Sequence, residues 1–264
     1  MIMEIIACQL DLVWEDKHSN YARVEQMLAE ARPAPGSMIV LPEMFATGFS
    51  MNAAAIQESP PSATLERMAG WARRWSSHVM GGLVTPAPGG QGFNQSVTVN
   101  PEGKEVCRYT KIQPFSLGTE DVHYQAGDVV HLFQAAEWTV APFVCYDLRF
   151  PEIFRHATRR GAELFVVIAN WPEKRIRHWI TLLQARAIEN QAYVVGVNRV
   201  GEDPTLRYVG GTLILDPSGD ILADAGAKEG FIRAQADREA LKALREGLPF
   251  LKDMRQDFVP PPGV

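Results

Sequence analysis

The sequence predicts an α/β protein whose sheets are covered by helices. Short apolar runs of strand length recur along its 264 residues. They alternate with segments whose apolar residues follow helical spacing, the pattern of layered α/β proteins. Strand-like runs also outnumber long helical patterns, which favours two sheets over one.

Taken in order, residues 4–10 form the first strand-like run. Val24, Met27, Leu28 and Ala31 place a helix over 21–31. Residues 38–41 form a second apolar run, ending at Pro42-Glu43. Met68, Trp71 and Ala72 share one face of a helix over 65–75. Residues 79–84, 96–100 and 105–109 are strand-like, and Pro101-Glu102-Gly103-Lys104 supplies the turn residues of a hairpin between the last two. Residues 138–144 are a further apolar run. A helix begins near Pro151, where the missing N–H of proline does no harm. A buried strand over 164–169, a helix over 178–190 and a strand over 192–198 follow. Pro217-Ser218-Gly219 joins strands over 211–215 and 221–224, and a helix covers 238–246. Proline- and glycine-rich stretches at 32–37 and 85–92 read as loops, and 260–264 as a tail. With no internal repeat or low-complexity linker, one domain over 1–264 is expected.

Composition excludes several classes. Hydrophobic residues make up 46% and charged residues 22%, as in ordinary globular proteins. The formal net charge of −5 comes without any basic block, so nucleic acid is not an expected partner. The apolar start is interrupted by Glu4 and has no basic flank, so it reads as a core strand and not a signal peptide. No run is long enough to span a bilayer, so no membrane partner is expected. Cys8, Cys107 and Cys145 are far apart and odd in number, which argues against a disulfide framework and fits a reducing, cytoplasmic compartment. The six histidines are scattered without a His-x-x-x-His pair, so no metal site is expected. Gly81-Gly82 and Gly210-Gly211 do not make a phosphate-binding loop.

Three polar residues close strand-like runs: Glu43, Lys111 and Cys145. Rigid strand ends are where α/β proteins present functional groups to a ligand. Position alone leaves each of them open to an ordinary reading, the cysteine as a small core residue and the charged pair as a solvated face. Their local sequences add to that. Leu41-Pro42-Glu43-Met44-Phe45, Tyr109-Thr110-Lys111-Ile112 and Val144-Cys145-Tyr146-Asp147-Leu148-Arg149-Phe150-Pro151-Glu152 follow one another in that order. Together they resemble the signature segments of the nitrilase superfamily of carbon–nitrogen hydrolases, and the resemblance extends to Ile188-Glu189-Asn190-Gln191.

The resemblance implies a four-layer α-β-β-α sandwich with Glu43, Lys111 and Cys145 as catalytic residues. It adds Glu120, in Thr119-Glu120-Asp121-Val122-His123-Tyr124, as a second glutamate orienting Lys111 or the substrate. The chemistry suits these residue types. A thiol must lose its proton to attack an amide carbonyl, and Glu43 can take that proton. Lys111 and the backbone N–H of Tyr146 can stabilise the oxyanion. Ammonia leaves, and water activated by Glu43 hydrolyses the thioester left on Cys145. No cofactor is implied. Asn170-Trp171-Pro172, Ala185-Arg186-Ala187-Ile188-Glu189-Asn190-Gln191 and the 120–127 segment resemble the omega-amidase branch, whose substrates are of the 2-oxoglutaramate or succinamate type. Close relatives often carry histidine where this chain has Gln113.

For the substrate carboxylate, Arg149 is the first candidate, since a guanidinium can grip it in bidentate fashion. The alternative is an ion pair with Glu152 or Asp147, and Arg175 and Arg177 are reserves. Trp171, Phe45 and Tyr124 are candidate pocket walls. Other readings are a deaminated-glutathione amidase, an N-carbamoyl amino acid amidohydrolase, or an idle binding protein of the same fold. A homodimer is expected, with 149–159 and 178–190 as candidate faces.

Overall fold

The computed structural model describes residues 1–255, and the tail expected at 260–264 lies outside them. Two six-stranded sheets carry the molecule. The first contains β1 (Ile2–Gln9), β2 (Met38–Val40), β3 (His78–Pro86), β4 (Gly92–Val99) and β5 (Glu105–Thr110), with β14 (Gly230–Asp237) on the outer side of β1. The second holds β6 (Phe133–Ala135), β7 (Trp138–Val144), β8 (Leu164–Ile168) and β9 (Tyr193–Val197), then β12 (Leu213–Leu215) and β13 (Ile221–Asp224). Between β9 and β12 lies a separate hairpin, β10 (Val200–Glu202) and β11 (Arg207–Val209).

Each sheet has a parallel centre. β1, β2 and β3 run parallel, as do β7, β8 and β9. Parallel neighbours need long crossovers, and helices supply them. α1 (Lys17–Ala31), the short α2 (Ala53–Ile56) and α3 (Ala63–Trp75) serve the first sheet. α5 (Pro151–Arg159) and α6 (Ile176–Asn190) serve the second. α4 (Glu120–His123) is a single turn between the sheets in sequence, and α7 (Arg238–Gly247) follows β14.

The strand period of two sorts side chains between layers. On β1, Met3, Ile5 and Ala7 enter the large core shared with the second sheet, while Ile6 and Cys8 join Val24, Leu28, Met68 and Trp71 beneath α1 and α3. β2 divides likewise, Met38 and Val40 against Ile39. β7, β8 and β9 are apolar on both faces because the first sheet covers one and α5 and α6 the other; Phe154, Trp179 and Leu183 supply that cover. The order is therefore helices, sheet, sheet, helices, as the resemblance implied. Caps mark the helix ends. Asp16 accepts from the Ser19 N–H at the start of α1 and Ser62 from the Leu65 N–H at the start of α3.

β5 runs antiparallel to β4, and β4 to β3. β5 consequently points the same way as β2 and β3. The carboxyl ends of β2, β5, β7 and β8 deliver Glu43, Lys111, Cys145 and Asn170, and that common placement makes the site possible.

Candidate active site

The Lys111 ammonium, 1% exposed, sits between two carboxylates that are fully buried. Its Nζ donates to Glu43 Oε1 at 3.1 Å and to Glu120 Oε1 and Oε2 at 3.0 and 2.8 Å. Burial pulls the lysine down, but the charges of Glu120 and Glu43 outweigh it and hold the ammonium well above its ordinary value. The Asn94 amide, from β4, donates at 2.7 Å to Glu43 Oε1 and at 2.8 Å to Glu120 Oε1. Glu43 Oε2 accepts the backbone N–H of Asn170 at 2.8 Å, and the Asn170 side-chain amide holds the Glu43 carbonyl at 2.7 Å. Glu120 also receives the Phe115 N–H at 2.6 Å. Both carboxylates are fixed in place by donors from other strands, which satisfies the demand of buried charge for partners.

Cys145 lies beside this cluster at the floor of a cleft. Burial raises its thiol well above the ordinary range; Glu43 adds to the rise, while Lys111 and the Asn170 N–H oppose it. Burial and Glu43 thus both favour the neutral form of the thiol. Cys145 has φ 50°, a left-handed conformation uncommon for a residue with a side chain, at the sharp turn where β7 passes into a 3-10 turn over Cys145–Arg149. As the second residue of that turn, Tyr146 has an N–H with no acceptor inside it, so it is free to serve an oxygen bound near the thiol. Thiol, carboxylate, fixed ammonium and N–H together can attack a carbonyl and stabilise the charge that results.

The cleft walls include Phe49, Phe115, Tyr146, Asn170, Trp171 and Pro172, with Leu206 from the β10–β11 connection at the rim. Arg149 and Arg175 also line it. The Arg149 guanidinium lies 4.8 Å from the Trp171 ring centre and touches His178 Nδ1 at 3.3 Å. Arg175 lies 5.0 Å from the Phe115 ring centre. Among the described residues neither arginine forms an ion pair with a carboxylate, and the alternative of an Arg149 pair with Asp147 or Glu152 is not seen. Asp147 points into the interior, and Glu152 is exposed. Arg177 is exposed and is not part of the cleft wall.

Two expected pocket walls are placed elsewhere. Phe45 is fully buried between Tyr21 and Trp71 in the core under α1 and α3. The strand end turns its ring towards the helices while the neighbouring Glu43 faces the cleft. Tyr124 is buried against Met44 and Val84, and its hydroxyl donates to the Ser50 carbonyl. It backs the carboxylates without lining the cleft. Trp171 does line it, with its backbone held by Asn198 at 2.7 and 3.0 Å. Asn94 was missed by sequence reading. It lies in a strand whose residues Asn94, Gln95, Ser96 and Thr98 are polar yet buried, a burial that the sequence does not signal. Phe49 and Phe115 lie in loops without periodicity and carried no signal.

A four-layer fold with a buried Glu–Lys–Glu cluster next to a cleft cysteine defines an amide-cleaving hydrolase of the thiol type, and the chain belongs to the carbon–nitrogen hydrolase family, whose model matches residues 5–246. Within it, the chain is an amidohydrolase of the omega-amidase-like branch of the nitrilase superfamily. It is 38% identical over 253 residues to the omega-amidase YafV of Yersinia enterocolitica, covering 95% of this chain and 96% of that one. It is 31% identical to the 2-oxoglutaramate amidase of Bacillus subtilis, covering 96% and 98%. A solved structure of a superfamily protein from Xanthomonas campestris, with an arsenic adduct in its active site, superimposes with a TM-score of 0.91 at 30% identity, covering 98% and 99%.

Proposed function

We propose that this enzyme hydrolyses the terminal amide of a small carboxylated substrate of the 2-oxoglutaramate or succinamate type. Cys145 is the nucleophile. Glu43 takes its proton as the sulfur attacks and returns it to the departing ammonia. Lys111 and the Tyr146 N–H hold the oxyanion, and Glu120 fixes Lys111. Water activated by Glu43 then cleaves the thioester on Cys145. The relatives named omega-amidase and 2-oxoglutaramate amidase support the substrate class.

The observation that carries this reading is the pair of arginines on the cleft wall, neither neutralised by a carboxylate among the described residues. A substrate carboxylate leaving water needs a cation with matching donors. The cleft offers two, flanking Trp171 and Phe115, while Lys111 is committed to the glutamates. Competition between amides tests it. Succinamate or 2-oxoglutaramate should exceed butyramide in kcat/KM by at least about tenfold, the worth of one charge-assisted hydrogen bond. Arg149→Met should erase most of that preference and leave slow turnover of butyramide. Equal efficiencies in the wild type would overturn the carboxylate assignment and leave only a general amidase. Preference retained in Arg149→Met but lost in Arg175→Met would move the role to Arg175.

The three free thiols support a reducing, cytoplasmic setting. Among the described residues no helix is long and apolar enough to cross a membrane. We also propose a homodimer through the outer side of α5 and α6. Ile188 on α6 is 52% exposed beside the β12–β13 turn, where Ile221 and Leu222 are exposed too, and such a patch favours a partner.

A further inference from the structure

Asp147 is a buried carboxylate to which the mechanism above gives no task. It is fully buried, and among the described residues it forms no ion pair. Its oxygens take three hydrogen bonds. Oδ2 accepts the Val144 N–H at 2.9 Å and the Tyr109 hydroxyl at 2.7 Å, and Oδ1 accepts the Gln113 N–H at 2.9 Å. Val144 immediately precedes the nucleophile. Tyr109 and Gln113 stand two residues to either side of Lys111. One side chain thus joins the end of β7 in the second sheet to both flanks of the lysine at the end of β5 in the first.

We propose that Asp147 is a positioning residue that holds the strained Cys145 turn in register with Lys111. The inference rests on the roles proposed above for Cys145 and Lys111. Two physical points support it. A buried carboxylate without an ion pair is costly, and an apolar side chain would pack in its place at less cost. Burial accordingly pushes its carboxyl up to about 7, against the Val144 N–H and the Tyr109 hydroxyl. Stability alone does not account for such a residue. Second, the φ of 50° at Cys145 persists only if its surroundings over-determine it. The Val144 N–H bond closes the turn from Val144 to Asp147 around the cysteine, and the Tyr109 and Gln113 bonds anchor that turn to the other sheet. No other side chain of the described residues bonds to both segments.

Asp147→Asn keeps the shape but turns an amide NH2 towards one of the donors, so one bond becomes a repulsion. In this variant kcat should fall by at least about thirtyfold, since small misplacements of reacting groups cost factors of this order. KM should stay within about twofold, because the cleft walls are untouched. Iodoacetamide should label Cys145 at least about tenfold more slowly, a readout that needs no substrate. Tyr109→Phe removes one anchor and should lower kcat several-fold. The double variant should be no worse than Asp147→Asn alone, because the tyrosine acts through the carboxylate. If Asp147→Asn lowers only Tm while kcat and labelling stay at wild-type levels, the residue is structural and the proposal is overturned. Should that variant not fold, Tyr109→Phe decides, and unchanged kcat and labelling there overturn it equally. Cys145→Ala run in parallel separates the two levels. Turnover surviving in Cys145→Ala sinks the proposed mechanism itself, whereas a dead Cys145→Ala beside a fully active Asp147→Asn sinks only the positioning role.

Discussion

For the proposed role of Cys145, a buried thiol with a raised pKa must still become a nucleophile, and the residues around it can bring this about. Burial and Glu43 both raise the Cys145 thiol and so favour its neutral form. The Glu43 carboxylate can accept the proton during attack, when the new charge moves onto the carbonyl oxygen near Lys111. Lys111 stays protonated because Glu120 and Glu43 hold it there. A thiol raised well above its ordinary value ionises towards the alkaline side of the range from pH 6 to 9 and beyond it, and Lys111, also raised, keeps its proton there. The rate of Cys145 alkylation by iodoacetamide should therefore climb through that range without reaching a plateau, any inflection near 7 belonging to Asp147, and it should exceed labelling of Cys8 and Cys107, whose thiols burial pushes up to about 12. A plateau reached near or below 7 that persists in Asp147→Asn would mean a standing thiolate and a different activation. Much of this was legible residue by residue. Glu43, Lys111, Cys145 and Glu120 sit in recognisable segments, and the structure brings all four together. Phe45 was misplaced, because the direction of a ring at a strand end depends on the twist of the turn and not on its sequence neighbours. Asn94 was invisible, because a polar residue in a strand normally reads as solvent-facing.

At the scale of elements, the site depends on how closely strands approach. β2 ends at Val40, and the chain through Pro42 and Glu43 lies directly against β3, where Gly82 donates to the Pro42 carbonyl at 3.1 Å. A Cβ on Gly82 would meet the Met44 nitrogen at 2.3 Å and the Glu43 Cα at 2.6 Å. Of the glycine pair in β3, which carries no phosphate-loop pattern, Gly82 admits this backbone and Gly81 admits the Phe45 ring. Gly82→Ala must push Glu43 away from Lys111 and Asn170. It should cut kcat by at least about tenfold, and the wild-type value retained in this variant would show that the approach is not needed. Most element boundaries followed from periodicity, because β1, β2 and β7 through β9 are apolar and α1 and α3 carry clear stripes. β14 was missed. Phe231, Ile232, Arg233, Ala234 and Gln235 alternate too weakly, since this edge strand is only partly covered on each face. The β10–β11 hairpin was hidden for a related reason: its strands are three residues each and stand apart from both sheets.

On the scale of the whole molecule, two sheets packed face to face spend their inner faces on each other, and the helix layers and the β13 edge of the second sheet face outward. The inner sides of α5 and α6 are spent on the second sheet, through Phe154, Ala157, Trp179 and Leu183. On the outer side, Arg155 and Arg159 reach Met254 and the Arg255 carbonyl, so the end of the described chain crosses α5. Ile188 on α6 and Ile221 and Leu222 on β13 remain exposed apolar residues. Sedimentation at micromolar concentration should give twice the monomer mass, and Ile188→Glu should shift the equilibrium towards monomer. A monomeric wild type would refute the dimer. The layered architecture was readable because covered parallel strands have no polar face, whereas the association surface was not, since exposed helix residues look alike with or without a partner.

The proposed mechanism requires a covalent bond to Cys145. Rapid acid quenching during turnover of succinamate, followed by intact-mass measurement and peptide mapping, reads that bond directly. The expected result is an adduct of substrate mass less ammonia on the peptide bearing Cys145, absent in Cys145→Ala, which should also be inactive. Turnover without any adduct, or with activity preserved in Cys145→Ala, would contradict it.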